Sequence, residues 1–322
     1  MADKVIVIGG SGFIGTRLVE ALIANGEDVL IFDKKASLTH HSITTLGDVN
    51  DLDSLRVACK GRNLIYNLAA EHRDDVRPAS LYNEVNVGGA ETVCLVAEEN
   101  SISRIIFSSS VAVYGPSQKA LTEESPHNYI SKYGESKSRA EHVYKRWRDG
   151  KLDRSLVIVR PTAIFGPGSK GNVHNLILQI KSGRFVMVGA GNNKKSIGYV
   201  SNVADLLVFL KSCGPGLQIY NYADKPDFTM RELVTLISQG LGRKSAVAIT
   251  LPEWLGFTLG SYFDIISKVI GAKFPINRER VEKFCSSTEI DSQNAFATGF
   301  VPKYTIGKAL QLTVQDYVTG SY

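Results

Sequence analysis

Between Lys4 and Asp33 the chain reads KVIVIGGSGFIGTRLVEALIANGEDVLIFD, and this stretch narrows the fold more than any other. Val5 to Ile8 is a continuous apolar run, Gly9, Gly12 and Gly15 follow at once, Phe13 to Ala24 is helical in pattern, and Val29 to Phe32 is apolar again. A continuous apolar run suits a strand buried on both faces. Two such strands separated by a helix are joined as parallel neighbours must be, by a crossover. The alternation continues through Leu64 to Leu68, Arg104 to Phe107 and SLVIVRP at 155–161, the last halted by proline. The expected class is α/β, a parallel sheet wrapped by helices. Glycine and proline cluster in FGPGSKGN at 165–172, where the chain is expected to change character. Beyond it, TMRE at 229–232 reads as a capping box opening a helix through Leu241.

The glycine spacing is GxxGxxG, after a strand and at the start of a helix. Missing side chains let the backbone approach a pyrophosphate at the positive helix end. The same spacing also suits a bare tight turn, so the next strand matters. It ends in Asp33, whose carboxylate can accept bonds from both hydroxyls of an adenosine ribose and would repel a 2′-phosphate. NAD is therefore the expected cofactor, although Lys34 and Lys35 soften the discrimination. Asp48 and Val49 in GDVND fit an adenine-contacting turn, or Asp48 or Asp51 is an ordinary helix cap.

In YISKYGESKSRAEHVY, residues 129–144, Tyr133 and Lys137 stand four apart. On a helix they face the same way. An ammonium beside a phenol favours phenolate, so the pair is expected to lower the tyrosine's pKa and make it an acid or base near neutral pH. A solvated helix face would show the same spacing. Upstream, RIIFSSSVAVYG carries three serines to the C-terminal edge of a strand, where ligands bind in open α/β sheets.

Together, in this order, the glycine turn, the ribose carboxylate, the serines and YxxxK resemble the extended short-chain dehydrogenase/reductase family, in its NAD-dependent sugar epimerase and dehydratase branch. The resemblance covers essentially the whole chain. It implies a Rossmann-type doubly wound sheet over residues 1–165 and a smaller substrate-binding lobe over 166–322, with segments near 195–225 returning to the first domain. Ser110, Tyr133 and Lys137 would be the catalytic trio. Tyr133 would take the proton from a sugar hydroxyl, Ser110 would bond the same oxygen, and Lys137 would hold the nicotinamide ribose. The implied cofactor contacts are Gly9, Ser11, Gly12, Phe13, Ile14, Gly15, Asp33, Lys34, Asp48 and Val49, Leu68, Ala69 and Ala70 of NLAA, Asn86 of VNVGGA, Tyr133, Lys137 and Pro161. A homodimer is the family expectation.

The same resemblance bears on the reaction. A 4,6-dehydratase of this branch places an acidic pair after its active-site hydroxyl residue, and here Val111 and Ala112 stand there. Epimerisation needs only transient oxidation at C4, rotation of the ketone and hydride return. A net dehydrogenase or reductase would use the same trio, and a non-catalytic NAD-sensing protein would share the fold. Ala163 in RPTAIFG stands where UDP-sugar epimerases commonly carry asparagine, and Lys195 where they carry a diphosphate-binding arginine. AAEHRDDV, RPTAIFG, GNVHNLILQI, YNYADKPD and FDIISKVIG look closer to 4-epimerases acting on N-acetylglucosamine carried on undecaprenyl diphosphate in surface-polysaccharide and O-antigen assembly. A UDP-linked amino sugar is the other carrier. Substrate contacts are expected from His72, Ser110, Asn172, Lys195, Arg280 and Thr288, the last gating the acetamido group in the small-residue segment FCSSTEID.

Composition bounds the rest. A net charge of +5 without a block of like charges names no nucleic-acid partner. Cys59, Cys94, Cys213 and Cys285 are far apart, form no CxxC and suit a reducing compartment, and no metal-ligand cluster is expected. No signal-peptide pattern opens the chain. No apolar run approaches the ~18 residues that cross a bilayer. A cytoplasmic protein is expected. LPEWLGFTLGSYFDIISKVIG, residues 251–271, is apolar at Leu255, Leu259, Tyr262, Ile266 and Val269, with Trp254 at its entrance. Such a helix would pack on the substrate lobe or rest on the inner face of the membrane.

Overall fold

The structure, a computed structural model, describes residues 2–73, 76–243, 249–270 and 278–320, without the side chains of 265, 267–270, 279 and 280. Six strands of the main sheet come in chain order: β1 (Lys4–Ile8), β2 (Asp28–Asp33), β3 (Thr44–Leu46), β4 (Leu64–Asn67), β5 (Arg104–Ser108) and β6 (Ser155–Pro161). A seventh, Gly216–Tyr222, arrives from the second half of the chain and pairs with β6. Across the sheet the order is Gly216–Tyr222, β6, β5, β4, β1, β2, β3. Every neighbouring pair is parallel. The order reverses between β1 and β4, which is the doubly wound arrangement whose switch point opens a crevice at the carboxyl ends of the strands.

The apolar runs read from the sequence are strands because they are buried on both faces. Ile6 and Ile8 join Ile65, Phe107 and Ile158 in one cluster, while Val5 and Val7 join Tyr66, Ile106 and Val157 in another. Successive side chains alternate between the two faces, so each strand feeds both cores. Helix α1 (Phe13–Ala24) covers the second face through Leu18, Val19 and Leu22. It shares that face with Val200–Phe209, which supplies Val203, Ala204 and Leu207. After α2 (Leu52–Ala58) and α3 (Ser80–Asn83), helices α4 (Gly89–Glu99) and α5 (Lys132–Asp149) cover the first face. Their buried residues Val93, Ala97, Ala140, Val143 and Trp147 belong to the first cluster.

A third cluster forms the lobe beyond β6. Val173, Ile177 and Ile180 of Asn172–Lys181 meet Leu233, Val234 and Ile237 of Met230–Gly240 and Leu310 and Val314 of Ile306–Thr319. The capping box is present: Thr229 Oγ1 accepts from the Glu232 amide at 3.2 Å, and the Glu232 carboxylate accepts from the Thr229 amide at 2.8 Å. Helix Glu253–Ile270 turns Gly256 inward, where an added Cβ would stand 2.5 Å from Val188. Trp254 (68% exposed), Tyr262 (59%) and Leu259 face outward. Of the apolar positions read from the sequence in this helix, the Val269 side chain lies outside the described residues.

Candidate active site

The site is assembled where β1, β4, β5 and β6 end. After β1, Gly9 takes φ +81°, and a Cβ there would stand 2.6 Å from the Ala69 nitrogen. The glycine turn is thus pressed against Leu68 and Ala69, which lead with Ala70 out of β4. Leu68 donates its amide to the Ile8 carbonyl at 2.8 Å, and Ala69 donates to Asn67 Oδ1 at 3.0 Å. At Gly15 a Cβ would meet the Gly9 carbonyl oxygen at 2.3 Å, so turn and helix touch backbone to backbone. Phe13 and Ile14 begin α1. Gly12 caps it without a side chain, and its first turn holds no acidic residue. The positive end of the helix is left for an anion from outside the chain.

Asp33 closes the turn from β2. Its Oδ2 accepts from the Ser11 amide and its Oδ1 from the Lys35 amide, both at 3.0 Å. The Ser11 hydroxyl donates to the Lys35 carbonyl at 2.8 Å. Each carboxylate oxygen keeps a second lone pair, so the held carboxylate can still accept from ribose hydroxyls. These residues fit a dinucleotide. Asp33→Ala is expected to weaken NAD binding roughly tenfold or more, the loss of a hydrogen bond to a charged acceptor. Calorimetric titration measures it, and unchanged affinity would place the ribose elsewhere.

Asp48 and Val49 divide their tasks. Asp48 pairs with Lys34 at 2.9 Å and accepts from the Asn50 amide at 2.9 Å. Burial raises its carboxyl, but the Asn50 amide and Lys34 outweigh that and hold it below the ordinary range. Asp51, not Asp48, caps α2, accepting from the Ser54 amide. Val49 is buried and packs on Gly89, where a Cβ would come within 2.8 Å of its side chain.

Asn86 lies in a wide i→i+5 turn, Glu84–Gly88, ahead of α4. Its Oδ1 accepts from the Glu71 amide at 2.9 Å, and its Nδ2 donates to the Glu71 carbonyl at 3.0 Å and to Ser136 Oγ at 2.8 Å. The amide ties the segment after Ala70 to α5, one residue from Lys137. Asn86 is thus a staple beneath the site, joining the segment after Ala70 to α5. His72, next in that segment, is exposed.

The three serines ending β5 each hold one successive turn of α5. The Lys137 ammonium donates to the Ser108 carbonyl at 2.6 Å and lies 4.1 Å from the centre of the Phe107 ring. The Ser109 hydroxyl donates to Glu141 Oε1 at 2.6 Å. The Ser110 hydroxyl is near enough to pull the Tyr133 phenol downward, and Ser110 Oγ accepts from the Ala112 amide at 3.1 Å. Positions 133, 137 and 141 are spaced i, i+4, i+8, so one helix face meets one strand end in register. Gly134 permits the approach, since a Cβ there would be 2.3 Å from the Ala112 carbonyl oxygen.

The electrostatics differ from the sequence expectation. Burial pushes the Tyr133 phenol up to about 12, against the pull of Ser110. Burial also brings the Lys137 ammonium down to about 7, opposed by the Glu141 carboxylate. The phenol is therefore raised, not lowered: desolvation dominates it, and the weakened ammonium is directed at the Ser108 carbonyl. Lowering the phenol takes positive charge beyond that of Lys137 alone.

The remaining expected substrate contacts lie in the second half of the chain. Lys195 and Thr288 form a bridge between Lys194–Lys195 and the chain after helix Arg278–Cys285. Lys195 Nζ donates to the carbonyls of Lys283 (2.9 Å) and Ser286 (2.5 Å), and burial lowers it to about 8. Two of its three protons go to the helix end, and the third is left for another acceptor. Thr288 donates its amide to the Lys194 carbonyl at 2.9 Å. Asn172 is exposed at the start of its helix, and Pro161 is buried at the end of β6. The Arg280 side chain lies outside the described residues.

Sequence reasoning missed the buried ions behind α5. Glu141 and Arg160 are fully enclosed, with Arg160 Nε 2.8 Å from Glu141 Oε1 and Nη2 2.6 Å from Oε2. The signal was present, since Glu141 continues the i+4 series of Tyr133 and Lys137 and Arg160 precedes Pro161.

Comparison with known proteins agrees with this geometry. The chain is 44% identical over 317 residues, 98% of its length and 95% of the relative's, to the N-acetyl-alpha-D-glucosaminyl-diphospho-ditrans,octacis-undecaprenol 4-epimerase of Escherichia coli O157:H7. The fold matches the UDP-N-acetylglucosamine 4-epimerase of Methanobrevibacter ruminantium M1 with TM-score 0.77 at 24% identity, covering 99% of this chain and 100% of that one. It also matches the UDP-glucose 4-epimerase of Thermus thermophilus, solved with NAD, with TM-score 0.76 at 20% identity and 98% of each chain covered. Residues 5–223, from β1 past the strand beside β6, match one family pattern, and with its glycine turn, held ribose carboxylate and serine-registered YxxxK helix the chain belongs to the NAD dependent epimerase/dehydratase family.

Proposed function

We propose that this protein is an NAD-dependent 4-epimerase that interconverts the GlcNAc and GalNAc configurations of an amino sugar carried on undecaprenyl diphosphate, in surface-polysaccharide assembly. The observation that carries this reading is the near full-length match to the Escherichia coli O157:H7 enzyme. When bound, NAD would supply a hydride acceptor that returns what it takes and, in its oxidised form, a positive charge. That charge is what Tyr133 lacks in the bare protein, where burial keeps its phenol protonated. Tyr133 takes the proton of the C4 hydroxyl as the ketone forms and gives it back as the ketone is reduced. Ser110, whose hydroxyl acts on Tyr133, orients the same oxygen. Lys137, fixed by the Ser108 carbonyl, stabilises the phenolate and holds the ribose. Val111 and Ala112 offer no carboxylate for eliminating water. The test is stoichiometry: sugar should convert without NADH accumulating in solution. NADH rising in proportion to product would make the protein a net dehydrogenase.

Room for the acetamido group comes from the segment Cys285 to Thr288, all small residues. Thr288 is half-buried beside Lys195, and residues paired in a bridge project to one face. Thr288→Tyr is expected to abolish turnover of N-acetylated substrate while sparing non-acetylated sugar, because a ring excludes by overlap. A hydrophobic pocket alone discriminates by only ~1–3 kcal/mol. Kinetics on both substrates, with NAD occupancy checked, decide it. Equal retention on both removes Thr288 as the gate.

On this reading the protein meets its lipid-borne substrate at the inner face of the membrane. No helix among the described residues is long and apolar enough to cross a bilayer. Trp254, Leu259 and Tyr262 form an outward apolar stripe that can dip into the headgroup boundary. Replacing Trp254 and Tyr262 by Ala is expected to reduce co-flotation with phosphatidylglycerol-containing vesicles several-fold. Unchanged flotation would return this helix to lobe packing.

A further inference from the structure

Two fully buried side chains on α5 are one turn apart, Lys137 and Glu141. Lys137 belongs to the catalytic trio and Glu141 does not. An isolated carboxylate in an apolar interior is costly and normally takes up a proton. Glu141 avoids this through three donors: the Ser109 hydroxyl on Oε1 at 2.6 Å, Arg160 Nε on Oε1 at 2.8 Å and Arg160 Nη2 on Oε2 at 2.6 Å. Burial would raise its carboxyl, yet Arg160 and Ser109 outweigh that and hold it below the ordinary range. The charge is fixed in place as well as in sign.

Arg160 is itself over-determined. Its Nη1 donates to the Tyr114 hydroxyl at 2.6 Å and to the Glu123 carbonyl at 3.1 Å, and its Nη2 also donates to His127 Nε2 at 2.8 Å. Accepting there makes His127 the neutral tautomer that donates from Nδ1 to Ser138 Oγ at 2.7 Å. Lys145 stands 3.7 Å from the far oxygen of Glu141. The cluster therefore draws on β5, β6, α5 and the loop before α5, far more machinery than packing requires. Replacing such an ion pair by apolar residues of similar size is often neutral or stabilising.

We propose that Glu141 is a positioning residue: gripped by Ser109 and Arg160, it supplies the fixed negative charge against which Lys137 keeps its proton in a buried site. Ser108 and Ser109 then act as a pair, one carbonyl holding the ammonium and the next hydroxyl holding its counter-charge. The titratable groups around this pair are Arg160 from β6, Tyr114 and His127 from the loop, and Tyr133 and Lys145 from α5, while the Glu123 carboxylate is turned to Asn221 and Asn294. Arg160 and Lys145 both stand against Glu141, at 2.6 and 3.7 Å from its Oε2, so removing Glu141 alone takes away the negative charge next to Lys137 on α5 and leaves two positive ones.

The experiment follows Lys137 directly, without substrate, so it stands whether or not the epimerase reading does. The full-length protein is prepared with lysine carrying carbon-13 at Cε, the Lys137 resonance is identified by its loss in Lys137→Arg, and its titration is followed by NMR in wild type and in Glu141→Gln. The expected result is a midpoint lower by at least about one pH unit in the variant. Glu141→Asp, which keeps the charge but retracts it, should shift the midpoint the same way by less, and it serves if Glu141→Gln does not fold. A folded Glu141→Gln, or failing that Glu141→Asp, whose Lys137 midpoint is unchanged would overturn the proposal, whatever its melting temperature.

Discussion

Tyr133→Phe is expected to lower turnover by about 10²- to 10⁴-fold, the usual contribution of a positioned acid or base, with NAD content unchanged. The substitution removes one oxygen and nothing else, and the ring is half-buried at the first turn of α5. The lost hydroxyl is the one that the Ser110 side chain acts on, so the variant isolates proton transfer from folding and cofactor affinity. Rate under saturating substrate, with bound NAD quantified in the same sample, is the measurement. Turnover within tenfold of wild type would mean that another group moves the proton.

The second large effect is expected at Gly15. An alanine Cβ would stand 2.3 Å from the Gly9 carbonyl oxygen, 2.7 Å from the Gly10 Cα and 2.8 Å from the Gly10 carbonyl carbon. All three are backbone atoms, so no side chain can swing aside. The turn cannot retreat either, because Gly9 donates its amide to the Phe32 carbonyl at 2.9 Å and lies against Ala69. Overpacking costs about 1–3 kcal/mol, roughly 5- to 150-fold in affinity if it falls on the bound state. Gly15→Ala should therefore lose most of the rise in melting temperature that added NAD gives wild type. A full NAD-induced rise would show that the turn accommodates the methyl and that close backbone approach is not what this glycine provides.

Local pattern made most of the Rossmann half legible. Continuous apolar runs mark strands buried on both faces, and the pattern placed α1 at Phe13–Ala24 and β6 at Ser155–Pro161 where the structure has them. Thr229 and Glu232 announced their helix because a capping box is a contact within four residues. What stayed hidden was long-range. Nothing near Glu141 says that Arg160, nineteen residues on, will reach it, and a charged pair on a polar helix reads as a solvated face. The sign of the Tyr133 shift was hidden for a related reason, since spacing reports a neighbouring charge but not the burial that outweighs it. Lys195 could be recognised as a cation, yet its carbonyl partners lie 88 and 91 residues away. Asn86 stood out as a residue, while its partners Glu71 and Ser136 come from two separate elements.

The central claim is the reaction on its carrier. The direct measurement offers the purified NAD-bound protein GlcNAc-diphospho-undecaprenol and UDP-GlcNAc side by side and determines the C4 configuration of the released sugar. The lipid-linked substrate should equilibrate between GlcNAc and GalNAc with no net NADH, and the UDP-linked sugar should turn over far more slowly. Preferential turnover of UDP-GlcNAc, or a lipid-linked product oxidised at C4 without inversion, would contradict it.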